Sequence, residues 1–400
     1  MRDPRGYAHS FELALGGFVR EAAARVPGFA ARLHDAGLAP LEVTTLAALD
    51  RLPVLTKDEL VDLQAADPPF AGMVAPDARP RRVFQSPGPL YEVEFGKPDH
   101  WRWRATLEAA GFSSDDIVIN AFAYHLTPAG AMFEQACHEV GAAVLPAGVG
   151  SLDAQVRACA DLGVTGYIGV PSYLKALLEH AGGSDRPLKL RRAFVTAEPL
   201  PPSLREWLLG HLEVVRQGYG TAETGNLGYE CAEMDGWHAP ADALVQVCDL
   251  TTGEAIYGGD EGQVVATVLS PDAPLVRFGT GDLSAWHDEP CACGLATPRL
   301  RGWLGRVGEA VKVKGMFLHL RQVAQVMGSV EGIDGYRLTV DRIDHRDILR
   351  CAVVPTGRER GDIAAAVKSR IREHLRFDVD VRLVDALSDG PAIEDLRSWT

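Results

Sequence analysis

The first fifty residues are rich in alanine and leucine, and Phe18, Ala22, Val26, Phe29 and Leu33 recur at near-helical spacing, which predicts packed helices. After the turn Leu52-Pro53-Val54-Leu55, Thr56 is followed three residues later by Glu59, so a capped helix is predicted there. From about 100 to 215 short apolar runs alternate with helical patterns. Ile117–Phe122, Ala143–Pro146, Tyr167–Val170 and Ala193–Thr196 read as strands. Ala129–Val140, 152–161 and 172–181 read as helices. That alternation indicates βαβ units and a largely parallel sheet. After 226 the chain gains β character, with strands over Leu244–Cys248, Gln263–Leu269 and Leu275–Phe278 that suggest an antiparallel or barrel-like subdomain. Beyond 305, β segments at Val311–Val313, Tyr336–Val340, Leu349–Val354 and Val379–Val384, with helices over Val323–Val330 and Ile363–Leu375, read as a small α+β domain.

Ligands of open parallel sheets sit beyond the carboxyl ends of the strands. Tyr124-His125, Pro171-Ser172-Tyr173, Ala197-Glu198-Pro199 and Gly218-Tyr219-Gly220 fall at such ends and are expected to line one pocket. The stretch Gly218-Tyr219-Gly220-Thr221-Ala222-Glu223-Thr224-Gly225 suits neither a helix nor a core strand. It offers close backbone approach to a ligand, hydroxyls and amides for phosphate, an aromatic face for a base and a hard oxygen for magnesium. A plain glycine-rich hairpin is the rival reading. Arg277-Phe278-Gly279-Thr280-Gly281-Asp282-Leu283 reads as a second glycine-rich turn ending in a carboxylate. Gly305-Arg306, then Val311-Lys312-Val313-Lys314-Gly315, sets three cations beside two glycines.

In this order and spacing the chain resembles the adenylate-forming superfamily, and within it the phenylacetate–CoA ligase branch, from about residue 50 onward. The resemblance implies an α/β fold: a large domain over 1–304 with mostly parallel sheets and a β subdomain at about 226–304, and a mobile α+β lid over 305–400. It implies a carboxylic acid, aryl by preference, activated by Mg·ATP as its acyl-adenylate and passed to CoA or another nucleophile. Tyr219 would stack on adenine, with Gly220 beside it. Thr221 would contact the α-phosphate, Glu223 would ligate magnesium and Asp282 would accept ribose hydroxyls. Arg306 would touch ribose or phosphate, and Lys312, Lys314 and Gly315 would approach the thioester site. Tyr124 and His125 would border the acyl pocket, near Ala197 and Glu198. Two elements depart from the pattern. The phosphate loop should fall at Arg82–Tyr91, where only Ser86 and Gly88 survive, and Pro87 and Pro89 have no N–H to donate. Pro391 stands where the adenylating lysine is expected, no lysine follows Lys368, and the pivot position is Gly308. A homologue that transfers a preformed acyl group to an amine or alcohol, or a non-catalytic nucleotide binder, is therefore the alternative.

Composition adds limits. The formal net charge of −14 argues against general nucleic-acid or anionic-membrane binding. No run approaches the ~18 apolar residues of a membrane span, and no signal peptide is evident, so a cytoplasmic enzyme is expected; a homodimer stays open. Seven cysteines at uneven spacing point to thiols or a metal rather than a disulfide scaffold. Cys231 with His238, and Cys291 with Cys293, supply two ligand pairs on separate loops, as a closed structural zinc site requires. Some relatives in the resembled branch bind zinc through the same arrangement; four unrelated loop residues is the other reading.

Overall fold

The computed structural model describes residues 2–183, 186–307, 311–314, 316–318, 320–357 and 362–397. The chain divides into two compact units, one built up to Gly305 and the other from Arg306 on, with Pro201–Leu204 grouped with the second.

In the first unit, helices Pro4–His9, Glu12–Arg25 and Pro27–Asp35 bury Tyr7, Leu15, Phe18, Val19 and Phe29 against Leu244, Val264 and Trp286. The main sheet has eight strands. Ala143–Pro146, Ile117–Asn120, Gly166–Gly169, Arg192–Val195 and Val214–Thr221 are parallel neighbours in that order. Gly225–Tyr229, Trp237–His238 and Arg299–Leu300 then extend it antiparallel. Buried Val118, Tyr167, Phe194 and Val215 explain why its parallel strands read as apolar runs. A second, antiparallel sheet runs Ala255–Ile256, Leu244–Cys248, Gly262–Val268, Leu275–Ser284. The second unit packs helices Leu320–Gly328 and Ile363–Leu375 against a four-stranded sheet ordered Asp380–Leu383, Arg346–Pro355, Ile333–Ile343, Ile393–Asp395. No helix among the described residues is long and apolar enough to cross a membrane.

Two local readings need correction. Arg277–Leu283 is not a turn but lies inside the strand Leu275–Ser284. Its glycines mark packing: a Cβ on Gly279 would collide with Gln263 and Val54, and Gly281 has φ +77°. The strand bulges there, since Val265 pairs with Gly279 while Gln263 pairs with Leu283, leaving Thr280–Asp282 opposite Val264 alone. Likewise Gly218–Thr221 completes a sheet strand, and its partner Gly225–Tyr229 belongs to the main sheet rather than to a separate β layer. The hairpin reading of this stretch therefore holds for its backbone.

Segment 52–66 is sewn to the same bulged strand. Leu55 donates its N–H to the Arg277 carbonyl at 2.8 Å and accepts from Gly279 N–H at 2.9 Å. Helix Lys57–Ala66 then starts on a complete capping box: Thr56 Oγ1 accepts from Glu59 N–H at 3.2 Å, and the Glu59 carboxylate accepts from Thr56 N–H at 2.8 Å. Thr56→Ala should lower unfolding free energy by about 1 kcal/mol, measured by urea denaturation; an unchanged midpoint would show that Leu55 alone fixes the helix start.

Candidate functional site

The bulge at Thr280–Asp282 meets the end of strand Val214–Thr221. Tyr219 Oη donates to Asp282 Oδ2 at 3.0 Å and lies 3.0 Å from Thr280 Oγ1. Trp303 Nε1 donates to the other Asp282 oxygen at 3.2 Å. One face of the Tyr219 ring is stacked on Trp237, with centroids 5.1 Å apart and planes within 8°. Two glycine-rich motifs far apart in sequence are thus joined through one buried phenol. Arg277 stands apart from that network: its guanidinium binds Asp50 and the Gly253 carbonyl.

Between the paired residues Thr221 and Gly225 lies a three-residue turn carrying Glu223. Thr221 and Thr224 tie it shut, each backbone N–H donating to the other's hydroxyl at 3.3 and 3.2 Å. The Glu223 side chain is buried and ion-paired to Lys57 Nζ at 2.6 Å. Burial opposes its charge, but the Lys57 ammonium outweighs burial and holds the carboxyl below the usual range. Sequence reasoning missed Lys57. A signal existed: a cation in the first turn of a helix opposes the helix dipole and calls for an anionic partner.

The expected phosphate loop is a tight hairpin. Ser86 pairs with Leu90, leaving only three residues in the turn. The Ser86 hydroxyl donates to Glu92 Oε1 at 2.7 Å, so it serves the hairpin itself. The other Glu92 oxygen is buried without a hydrogen-bond partner among the described residues. Burial, and then the Glu223 charge, push the Glu92 carboxyl up to about 8. Glu92 and Glu223 both line a cavity of about 290 Å³ walled by Phe70, Met73, Phe95 and Trp101.

Hydrogen bonds link three of the other strand ends. Thr196 Oγ1 donates to the Gly218 carbonyl at 2.8 Å, Gln217 Nε2 to the Glu198 carbonyl at 3.3 Å, and Ser172 N–H to Glu198 Oε2 at 3.4 Å. Ala197 has φ +70°. The Tyr124 hydroxyl accepts from Asn120 Nδ2 at 2.9 Å, whereas the His125 side chain is exposed. In the second unit Lys314 has φ +48°, is exposed, and donates its N–H to Asp347 Oδ2 at 3.0 Å. Arg306 is half-buried. Gly308, Gly315 and the Lys312 side chain lie outside the described residues. At the Pro391 loop, Arg337 donates to the Ser388 hydroxyl and carbonyl, and its guanidinium lies against Gly390.

Cys231, His238, Cys291 and Cys293 present ligand atoms that all lie within 4.8 Å of one another. Cys231 Sγ is 3.6 Å from Cys291 Sγ, and Cys293 Sγ is 3.3 Å from His238 Nε2. The edges of a tetrahedral zinc site with usual bond lengths are about 3.5–3.8 Å. His238 Nδ1 lies 2.9 Å from the Thr297 carbonyl, which places the proton on Nδ1 and leaves Nε2 as a ligand. Without an ion, burial pushes the Cys231 thiol up to about 12.

Residues 100–267 match the family described as AMP-binding enzyme. A phenylacetate-coenzyme A ligase of Thermus thermophilus is 30% identical over 401 residues, spanning 92% of this chain and 89% of the relative. The chain belongs to the phenylacetate–CoA ligase branch of the adenylate-forming superfamily. The Escherichia coli protein of the same name is 25% identical over 411 residues, spanning 95% of this chain and 92% of its own. The fold is also that of 2-hydroxyisobutyryl-CoA ligase solved with 2-HIB-AMP and CoA. That match has a TM-score of 0.88 at 21% identity and spans 98% of this chain and 90% of that one.

The Glu92 environment gives a pH dependence. Its carboxyl titrates near 4.5 in an unfolded chain and at about 8 in the fold, so the native state holds an extra proton between those values. Stability from this group is therefore full below about pH 4.5 and is lost as pH rises toward 8. Glu92→Gln removes the titration. The variant should gain stability relative to the unmutated protein between pH 5.5 and 8.5 in urea melts; a constant difference would show that Glu92 is not held neutral.

Proposed function

We propose that the chain is an AMP-forming acid–thiol ligase. A carboxylate oxygen attacks the α-phosphorus of ATP, forming an acyl-adenylate and releasing pyrophosphate. The CoA thiolate then attacks the acyl carbonyl, a thioester forms as the C–O bond of the mixed anhydride breaks, and AMP leaves with that bond's electron pair on its phosphate. An aryl acid is the favoured substrate class, since the matched relatives are named for phenylacetate. The observation that carries the reading is the Tyr219–Asp282 hydrogen bond, which joins two motifs of the branch at one buried point. Around it Tyr219 offers the ring face opposite Trp237 to adenine and Asp282 accepts ribose hydroxyls. Gly220 and Thr221 approach the α-phosphate, while Tyr124, His125, Ala197 and Glu198 border the acyl group. Arg306 contacts the nucleotide, and Lys312, Lys314 and Gly315 serve thioester formation.

Magnesium supplies charge neutralisation at the phosphates, and Glu223 is the carboxylate offered to it. The fit is partial, because Lys57 already occupies one Glu223 oxygen. A second reading follows from that occupancy, from the three-residue turn after Ser86 and from Pro391. Here adenylation is weak, and the enzyme passes a preformed acyl group to CoA, an amine or an alcohol. Each lost electrostatic donor costs roughly two to three orders of magnitude in rate.

ATP–pyrophosphate exchange with a panel of aryl and small aliphatic acids, followed by thioester detection with CoA, separates the two readings. Robust exchange retires the second; transfer only from a supplied acyl-adenylate retires ATP-dependent activation. Asp282→Ala should weaken AMP binding by about 1.5–3 kcal/mol in calorimetry, the range of a charged hydrogen bond. Undiminished binding would remove Asp282 from the nucleotide site.

The four-ligand cluster is assigned to structural zinc, closed and without an open position for chemistry. About one zinc per chain is expected by elemental analysis. Cys291→Ser should lower both metal content and melting temperature. Metal-free protein of equal stability would count against the assignment.

A further inference from the structure

The turn that carries Glu223 rests on a short segment that none of the motifs includes. Asp99–Arg104 runs directly beneath it. Asn226 N–H donates to the Trp101 carbonyl at 2.9 Å, and Asn226 Nδ2 donates to the Arg102 carbonyl at 2.9 Å. Gly225 has φ +69°, and a Cβ there would stand 2.5 Å from the Trp101 carbonyl oxygen. Gly220 is equally tight: its Cβ would stand 2.8 Å from the Trp103 ring. Both ends of the turn are thus pressed onto this segment. Its centre, Arg102, has a left-handed backbone at φ +63°. The Arg102 guanidinium donates to the Thr224 carbonyl, the residue after Glu223, and to the His100 carbonyl at 3.2 Å. Asp99 and Asp242 supply the counter-charge. Asp99 also fixes the segment, its carboxylate accepting from Arg104 N–H at 3.0 Å and its carbonyl from Arg102 N–H at 2.8 Å.

We propose that Arg102 is a positioning residue: it grips the Thr224 carbonyl and so sets where Glu223 stands at the phosphate end of the nucleotide site. Lys57 fixes the Glu223 side chain, whereas Arg102 fixes the backbone that carries it. The two restraints come from different parts of the chain and act on different atoms. The proposal rests on the reading of Glu223 given above. It concerns a planar, forked donor, so lysine is not an equivalent substitute.

The test is calorimetric binding of Mg·ATP and of AMP to the unmutated protein, Arg102→Lys and Glu223→Gln, with melting temperatures recorded. Arg102→Lys should bind Mg·ATP at least tenfold more weakly and AMP within about twofold of the unmutated protein, because only the triphosphate and its metal call on Glu223. A general loosening of the fold would instead weaken both ligands together and would overturn the proposal. If Glu223→Gln loses Mg·ATP affinity and Arg102→Lys does not, Arg102 alone is misassigned. If neither variant changes Mg·ATP binding, or the unmutated protein binds none, the role of Glu223 fails and the proposal falls with it. Should Arg102→Lys not fold, Arg102→Gln, which removes the forked guanidinium and its bond to the Thr224 carbonyl, is read by the same comparison.

Discussion

A carboxylate buried as deeply as Glu223 needs a cation, because an uncompensated charge in a low-dielectric interior costs several kcal/mol. Lys57 is that cation, and placing it constrains much of the first unit. Its helix must begin at one position, which the Thr56–Glu59 box and the Leu55 hydrogen bonds to Arg277 and Gly279 secure. Those bonds require the strand Leu275–Ser284 to run beside Leu55, and Gly279 to lack a side chain. The same strand carries Thr280 and Asp282 to Tyr219. One charge pair and one buried hydrogen-bond network are therefore registered on a single strand.

Much of this was legible in the sequence. The βαβ alternation between 117 and 221 is strong because the inner strands Ile117–Asn120, Gly166–Gly169 and Arg192–Val195 are short, largely buried runs and the helices show their own period, as with buried Leu174, Leu177 and Ala181 in Pro171–Gly182. The ligand cluster was legible too, since two pairs of soft ligands flanking β segments leave few other uses for them. Strand Leu275–Ser284 was truncated because glycine normally weakens a strand, and here it is required by the Gln263 and Val54 side chains above it. Nothing local marks Gly225–Tyr229 as part of the main sheet; its antiparallel partner, Trp237–His238, is only two residues long. Lys57 and Arg102 were missed because their partners, Glu223 and Thr224, lie more than a hundred residues away, and only packing brings them together.

The charge balance around Glu223 gives the departure at the Ser86 hairpin a physical meaning. In the folded chain Glu223 and Lys57 cancel, and Glu92 avoids adding a second negative charge by keeping its proton. The shortened hairpin makes this arrangement, since Ser86 bonds Glu92 across a three-residue turn instead of facing outward. Under the role proposed for Glu223, a triphosphate would meet no surplus positive charge from these residues and would bring its own in magnesium. An acyl-adenylate carries a single negative charge and makes a smaller demand. Under the roles proposed above, the Ser86 hairpin would therefore weigh on the first half-reaction more than on the second. Under the same roles, Lys57 is the cation placed beside Glu223 to compensate the phosphates. It could be released from Glu223 only when a metal takes over that carboxylate, so binding of the ion and freeing of the ammonium would be one coupled event.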